Sequence, residues 1–168
     1  MNQSARLYQD MQSPIGRLRL IASGDELTGI WFEHGRDSRK ADHTLTAGEC
    51  AVLDLACTQL EEYFCGDRRE FDLPLAPRGT EFQQRVWRRL LGIGYGTTTT
   101  YGALAHELGN ASASRAVGLA NGSNPIPIVI PCHRVIGANG ALTGFGGGLP
   151  IKSALLELER AQTQPRLL

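Results

Sequence analysis

Asn124-Pro125-Ile126-Pro127-Ile128-Val129-Ile130-Pro131-Cys132-His133-Arg134-Val135-Ile136 sets a polar couple, Cys132-His133, inside a run of large aliphatic side chains. Burying polar groups is costly unless they are paired or put to use. Pro125, Pro127 and Pro131 stiffen the stretch, because proline fixes its own φ and restricts the residue before it. One reading is a buried strand that carries a thiol, since cysteine is among the most buried residue types. The other is a nucleophile held beside its base. A free thiol has a pKa of about 8.5, and an apolar surround raises it further. Cys132 therefore needs a base, and the base needs an orienting group. His133 is the adjacent base, acting directly or through a water, and Glu159 is the candidate orienter.

Working upstream, Thr80 with Gln83 three residues on forms a capping-box pattern. Phe82, Val86 and Leu90 recur at helical spacing with Trp87 beside them. A short helix is predicted from Tyr101 to Leu108, closed by Gly109-Asn110, and a second from about Ala113 to Asn121. Such a pair is a helix-turn-helix or an ordinary αα-hairpin. The second helix is nearly devoid of large exposed side chains, and Gly118 costs it about 1 kcal/mol of propensity against Ala. A major-groove reader wants Arg, Asn or Gln at base-edge positions. Small residues with the single Arg115 suit close approach to the minor groove, with Arg115 reaching between bases. Asn124-Pro125 ends the helix.

Downstream, Gly137 to Gly140 reads as a turn. Leu142 to Gly148 fits neither a P-loop nor a G-x-G-x-x-G pattern. It is a flexible loop or a pocket wall where backbone approaches a ligand. The last helix is predicted from about Pro150 to Arg160, with Ile151, Leu155 and Leu158 on one face. Glu159 near its C-terminal end opposes the macrodipole and asks for a partner.

The first part of the chain reads as an antiparallel meander: Leu7 to Met11, a strand from Arg17, and Leu27 to Phe32. Residues 34–46 are polar and read as loop. Residues 47–65 turn helical, with Leu53, Cys57, Leu60 and Phe64 on one stripe and Gly66 at the helix end. This helix shows only packing. Phe71 to Gly79 is an extended, proline-containing linker. Apolar residues make up 42% and charged residues 20% of the 168, an ordinary balance for a globular protein. Net charge is zero, yet the first 84 residues hold nine basic and fourteen acidic side chains and the last 84 hold eight and three. The second half is therefore the one to meet a polyanion. The four cysteines form no C-x-x-C, so neither a zinc site nor a disulfide framework is expected. No apolar run is long enough for a membrane span or signal segment, which points to a soluble cytoplasmic protein.

The residues alone leave a cysteine hydrolase open. The motifs carry more. Pro131-Cys132-His133-Arg134-Val135, preceded by Arg115-Ala116-Val117-Gly118 and Asn124-Pro125 and followed by Gly144 to Gly148, closely resembles the O6-alkylguanine-DNA alkyltransferases, in length the stand-alone bacterial type. The resemblance is strong over about residues 78–160. It implies an α+β protein: a small RNase H-like antiparallel sheet with a helix and linker over 1–77, then a winged-helix-like domain with the helix-turn-helix over 78–168. It implies single-turnover repair, in which an O6-alkylguanine is flipped from duplex DNA and its alkyl group moves irreversibly to Cys132. O4-alkylthymine stays open as a second substrate. His133 becomes the base, Glu159 its orienter, Asn124 the hinge, and Tyr101 the donor to the departing guanine. Ser114, Arg115, Ala116 and Asn121 join Tyr101 on the DNA, with Arg115 filling the vacated base position. Pro127, Val135, Phe145, Gly146 and Gly147 form the pocket. No metal or cofactor is implied, and the protein is expected to act as a monomer on the minor groove. Phe145 stands where the family commonly has Tyr, and Gly146 where some members have Ser, so a roomier pocket is expected. The alternative is a non-catalytic lesion sensor, whose relatives replace the acceptor cysteine that this chain keeps.

Overall fold

A computed structural model describes residues 4–35 and 42–165. The chain opens with strands β1 (Arg6–Met11), β2 (Leu18–Ser23) and β3 (Glu26–Phe32), joined as an antiparallel meander. Alternation puts Leu18 and Leu20 into the core, while Arg19 turns outward and clasps Asp10 through two hydrogen bonds of 2.7 and 2.9 Å. A fourth strand, β4 (Leu45–Ala47), pairs parallel to β1 and completes the order β3-β2-β1-β4. It takes the end of the segment expected to be loop and the first residue of the expected helix, and it makes the sheet mixed rather than wholly antiparallel. Three residues are too few to show alternation. Residues 36–41 of that segment lie outside the described residues.

Helix α1 (Ala51–Cys65) covers the sheet and starts four residues later than predicted: Ala47 ends β4, and Cys50, the N-cap, is still extended. Gly66, at φ 83°, closes it as expected. The buried stripe is rotated from the predicted one. Val52, Ala56, Gln59 and Tyr63 face inward with Leu53 and Leu60, while Cys57 and Phe64 are half-buried. Gln59 explains part of the rotation: its amide exchanges hydrogen bonds with the backbone of Asp72 at 2.8 and 2.9 Å. The linker is thereby fastened. Leu27 N–H donates to the Pro74 carbonyl and Ala76 N–H to that of Leu27, so the linker extends the sheet at β3.

Helix α2 (Glu81–Leu90) begins with the capping box of Thr80 and Gln83. Its buried Trp87 donates through Nε1 to the Ala120 carbonyl at 2.8 Å. That bond joins it to a helix-turn-helix made of α3 (Tyr101–Glu107) and α4 (Ser114–Gly122), with a 3-10 turn at Ala111–Ala113 between them. Two-residue strands β5 (Thr99–Thr100) and β6 (Val135–Ile136) pair in parallel, and α5 (Leu149–Thr163) closes the fold. One hydrophobic core runs through both halves, from Leu18 and Leu53 to Ile126 and Leu155. Ile30 of β3 donates to the Pro125 carbonyl at 3.0 Å, tying the sheet to the Asn-Pro step.

The stretch 124–136 is not a strand until Val135. Its prolines force a compact, turn-rich path in which Ile130 N–H returns to the Ile126 carbonyl. Ile128 sits at φ 73°. A β-branched residue in that region costs about 1–3 kcal/mol and persists only where its surroundings impose it. Ile128 is 1% exposed, and burial of its side chain offsets that cost.

Candidate active site

Cys132 opens a single 3-10 turn, Cys132–Arg134, directly after Pro131. All three turn residues are buried. The turn sends consecutive side chains apart, and His133 and Arg134 both reach Glu159 on α5. His133 Nε2 lies 2.7 Å from Glu159 Oε1. Arg134 donates through Nε to Oε2 at 2.9 Å and through Nη2 to Oε1 at 2.8 Å. Gly96 N–H donates to Oε2 at 3.2 Å, and Tyr63 of α1 donates its hydroxyl to Oε1 at 2.8 Å. The partner that Glu159 required is therefore a ring of donors from three parts of the chain.

These donors set the ionisation. Burial alone raises the Glu159 pKa, but hydrogen bonds and charge from His133 and Arg134 outweigh it and hold the carboxyl at about 2. The His133 pKa is lowered as well, which here favours the neutral form. Burial lowers its pKa, Arg134 and Lys152 add to that, and Glu159 only partly opposes it. The ring is thus a neutral imidazole next to a carboxylate acceptor, which places its proton on Nε2. Nδ1 keeps its lone pair, and among the described residues no group hydrogen-bonds it. This is the protonation state of a general base. Tyr63 has its pKa pushed up by burial and by the charge of Glu159, so it stays a donor.

The hinge is equally well tied. Asn124 donates through Nδ2 to the Ile130 carbonyl at 2.7 Å and accepts from Ile126 N–H at 3.0 Å. Asn121 departs from expectation. The resemblance places it on the DNA face, yet it is 2% exposed and donates through Nδ2 to the Cys132 carbonyl at 3.3 Å. It faces inward because α4 turns that side toward the Cys132 segment. Arg115 and Ala116 are exposed on α4 and Ser114 is half-buried. The helix is not devoid of large exposed side chains: Leu119, one turn after Arg115, is 72% exposed.

Tyr101 begins α3, with its hydroxyl 3.3 Å from the Thr143 carbonyl and 3.1 Å from Thr143 Oγ1. Beneath it lies Lys152, fully buried, donating to the Val135 carbonyl at 2.7 Å and the Thr143 carbonyl at 2.9 Å. Burial lowers the Lys152 pKa. Its position corrects the reading of α5. The buried face is Lys152, Leu155 and Glu159, while Ile151 and Leu158 are half-buried. The α5 face predicted from apolar residues was off by one position because its deepest members are charged.

Beside Cys132 is a cavity of about 20 Å³, lined by Asn121, Asn124, Pro127, Phe145 and Gly146 among others. Pro127, Phe145 and Gly146 stand where the pocket was expected. Val135 and Gly147 do not line it. The Val135 carbonyl is engaged by Lys152, and Gly147 packs on Phe32. Ile30 and Phe32 of β3 do line it. In this conformation the cavity is small, with the Phe145 ring lying against Phe32 at a centroid distance of 5.4 Å. Sequence reasoning missed Tyr63, Arg134, Lys152, Phe32 and Leu119. Only Tyr63 and Arg134 left a signal: a polar tip on an apolar helix, and a buried charge beside His133.

Among the described residues no group of three or more His, Cys, Asp or Glu is placed to hold a metal, and no helix is long and apolar enough to cross a membrane. Two family models match: the ribonuclease-like domain of 6-O-methylguanine DNA methyltransferase over residues 7–77, and its DNA binding domain over 81–161. The chain is 49% identical over 156 residues to a methylated-DNA–protein-cysteine methyltransferase of Mycobacterium bovis, covering 92% of this chain and 93% of that one. It is 49% identical over 152 residues to a protein of the same name from Methanosarcina acetivorans, covering 90% and 97%. The crystal structure of Mycobacterium tuberculosis OGT in complex with DNA superposes with a TM-score of 0.86 at 49% identity, covering 93% of this chain and 94% of that one. A buried Cys-His-Glu constellation behind a helix-turn-helix, on a chain matched over nearly its full length, makes this protein a member of the methylated-DNA–protein-cysteine methyltransferase family.

Proposed function

We propose that this protein repairs DNA by direct reversal, taking the alkyl group of O6-alkylguanine onto Cys132 in a single irreversible turnover. The observation that carries the reading is His133, immediately after Cys132, fixed by Glu159 through Nε2 while no described residue hydrogen-bonds its Nδ1. Duplex DNA lies along α4 through its minor groove, with Ser114, Arg115 and Ala116 toward the backbone and Arg115 entering the space of the extruded base. Extrusion is required because O6 cannot meet a nucleophile inside the stack. The thiol proton passes to His133 Nδ1, directly or through a bridging water. The thiolate then attacks the alkyl carbon, the S–C bond forms and the C–O6 bond breaks. Tyr101 donates a proton to the purine, which leaves as neutral guanine; solvent reprotonates the Tyr101 phenolate and takes the proton held on His133, so that the thiol proton is the one gained overall by the guanine. Asn124 holds the loop that aims Cys132. The protein acts as a monomer in the cytoplasm, divided near residue 77 into a supporting and a catalytic domain.

Intact-protein mass after mixing with a duplex carrying O6-methylguanine tests the reading. One methyl replaces one hydrogen in the wild type, and Cys132→Ala shows no gain. Tight binding with unchanged wild-type mass would instead identify a lesion sensor.

A further inference from the structure

We infer that Phe32, a residue of the N-terminal sheet, sets the size of alkyl group that Cys132 accepts, by acting as the stop against which the loop Gly144–Gly148 rests. The inference rests on the function proposed above. The cavity beside Cys132 has about 20 Å³, room for roughly one water. Sites that take a small molecule enclose about 300–1,000 Å³. Space for a base and its substituent must therefore come from movement of a wall.

The walls are not equally free to move. Asn124 fixes the segment through Pro127 with hydrogen bonds at both ends of its amide, and Asn121 holds the Cys132 carbonyl. The remaining wall is the loop. It carries glycine at 144, 146, 147 and 148, with φ of 33° at Gly144 and 94° at Gly148. No neighbouring atom lies within 4 Å of where a Cβ on Gly144 or Gly146 would stand. What meets the loop is β3. Phe32 is 5% exposed and lines the cavity. Its ring is tilted 55° against Phe145. A Cβ on Gly147 would come within 2.9 Å of the Phe32 ring, and one on Gly35 within 3.0 Å of the Gly146 carbonyl. The loop backbone thus lies directly on the sheet end.

β3 itself is a firm stop. Phe32 is in register with Leu18 at the edge of the β2–β3 ladder, and Ile30 N–H is bonded to the Pro125 carbonyl. An alkyl group longer than methyl, extending from Cys132 past Phe145, meets Phe32 next. The N-terminal domain then does more than support: it supplies the far wall of the alkyl pocket.

The test measures transfer to Cys132 by intact mass from two duplexes of one sequence, carrying O6-methylguanine or O6-benzylguanine. The ratio of the two rates cancels losses of folded protein. In Phe32→Ala the benzyl-to-methyl ratio rises about tenfold, in Phe32→Trp it falls, and Phe32→Leu lies between, as differential pocket fit of this size requires. A ratio unchanged within about twofold in all three variants, each with wild-type circular dichroism, overturns the inference and leaves the proposed function standing. A wild type that accepts neither group on Cys132 overturns both.

Discussion

Tyr63→Phe removes one hydroxyl from α1 and leaves the ring in place. Glu159 Oε1 then keeps His133 and Arg134 as donors, and Oε2 keeps Arg134 and Gly96. The lost bond is 2.8 Å long, buried, and made to a carboxylate held at about 2. Hydrogen bonds to charged groups contribute about 1.5–3 kcal/mol, and phenylalanine leaves no orphaned donor behind. For a chain of this length that is a fall in Tm of about 3–12 °C. A chemical consequence goes with it. With one donor fewer, Glu159 neutralises less of its own charge internally and stabilises a protonated His133 better. The pKa of His133, lowered in the wild type by burial, rises. If about 1 kcal/mol of the lost bond acts on that equilibrium, the acid limb of the transfer rate moves up by about 0.7 pH unit. Thermal melts and single-turnover rates between pH 5 and 8, read with a fluorescent O6-benzylguanine oligonucleotide, measure both. A variant with wild-type Tm and an unmoved acid limb would refute the idea that Tyr63 positions the catalytic carboxylate.

Glu159→Gln leaves the buried Arg134 guanidinium against a neutral amide, so unfolding free energy in urea drops by about 3–5 kcal/mol and transfer slows by two orders of magnitude or so. The wild type loses stability in acid in two stages. His133 contributes fully above its unfolded pKa of about 6.5 and less as pH falls below it. Glu159, shifted from 4.5 to about 2, contributes about 3 kcal/mol above pH 4.5 that disappears between there and about pH 2; urea midpoints across that range check both steps. Leu119→Glu puts a carboxylate on the exposed face of α4, so duplex binding by fluorescence anisotropy weakens about tenfold, while transfer from free O6-benzylguanine base stays unchanged. Alkylation of Cys132 fills a packed site, so the spent protein melts lower than the unreacted one by about 1–3 kcal/mol of stability, and an equal or higher Tm excludes that account.

Local signals carried much of the architecture. The capping box at Thr80 and Gln83, the glycine stop at Gly66 and the Asn-Pro step at 124 each act through their own backbone, so their positions are legible in the chain. The gathering of Cys132, His133 and Glu159 in one buried place was legible because polar residues in apolar runs demand an explanation. What escaped was long-range. β4 needs β1 to exist, since three residues show no period of their own. Lys152 reads as a surface residue until Val135 and Thr143 supply carbonyls for it. Tyr63 and Glu159 are separated by 96 residues, and Phe32 meets Phe145 only after both halves have packed. Asn121 misled because polar residues near a DNA-facing helix invite assignment to that face, whereas the backbone of Cys132 claimed its amide.

The carboxylate of Glu159, on α5, gathers its donors from α1, the turn at Gly96 and the turn after Pro131. No fragment of the chain holds them all. A copy that is truncated, half-synthesised or locally unravelled therefore has the Cys132 thiol without the fixed His133–Glu159 pair beside it. This acts as a checkpoint: the residues around Cys132 reach their working arrangement only when the whole chain has folded, so an unfinished copy gives no false sign of repair capacity.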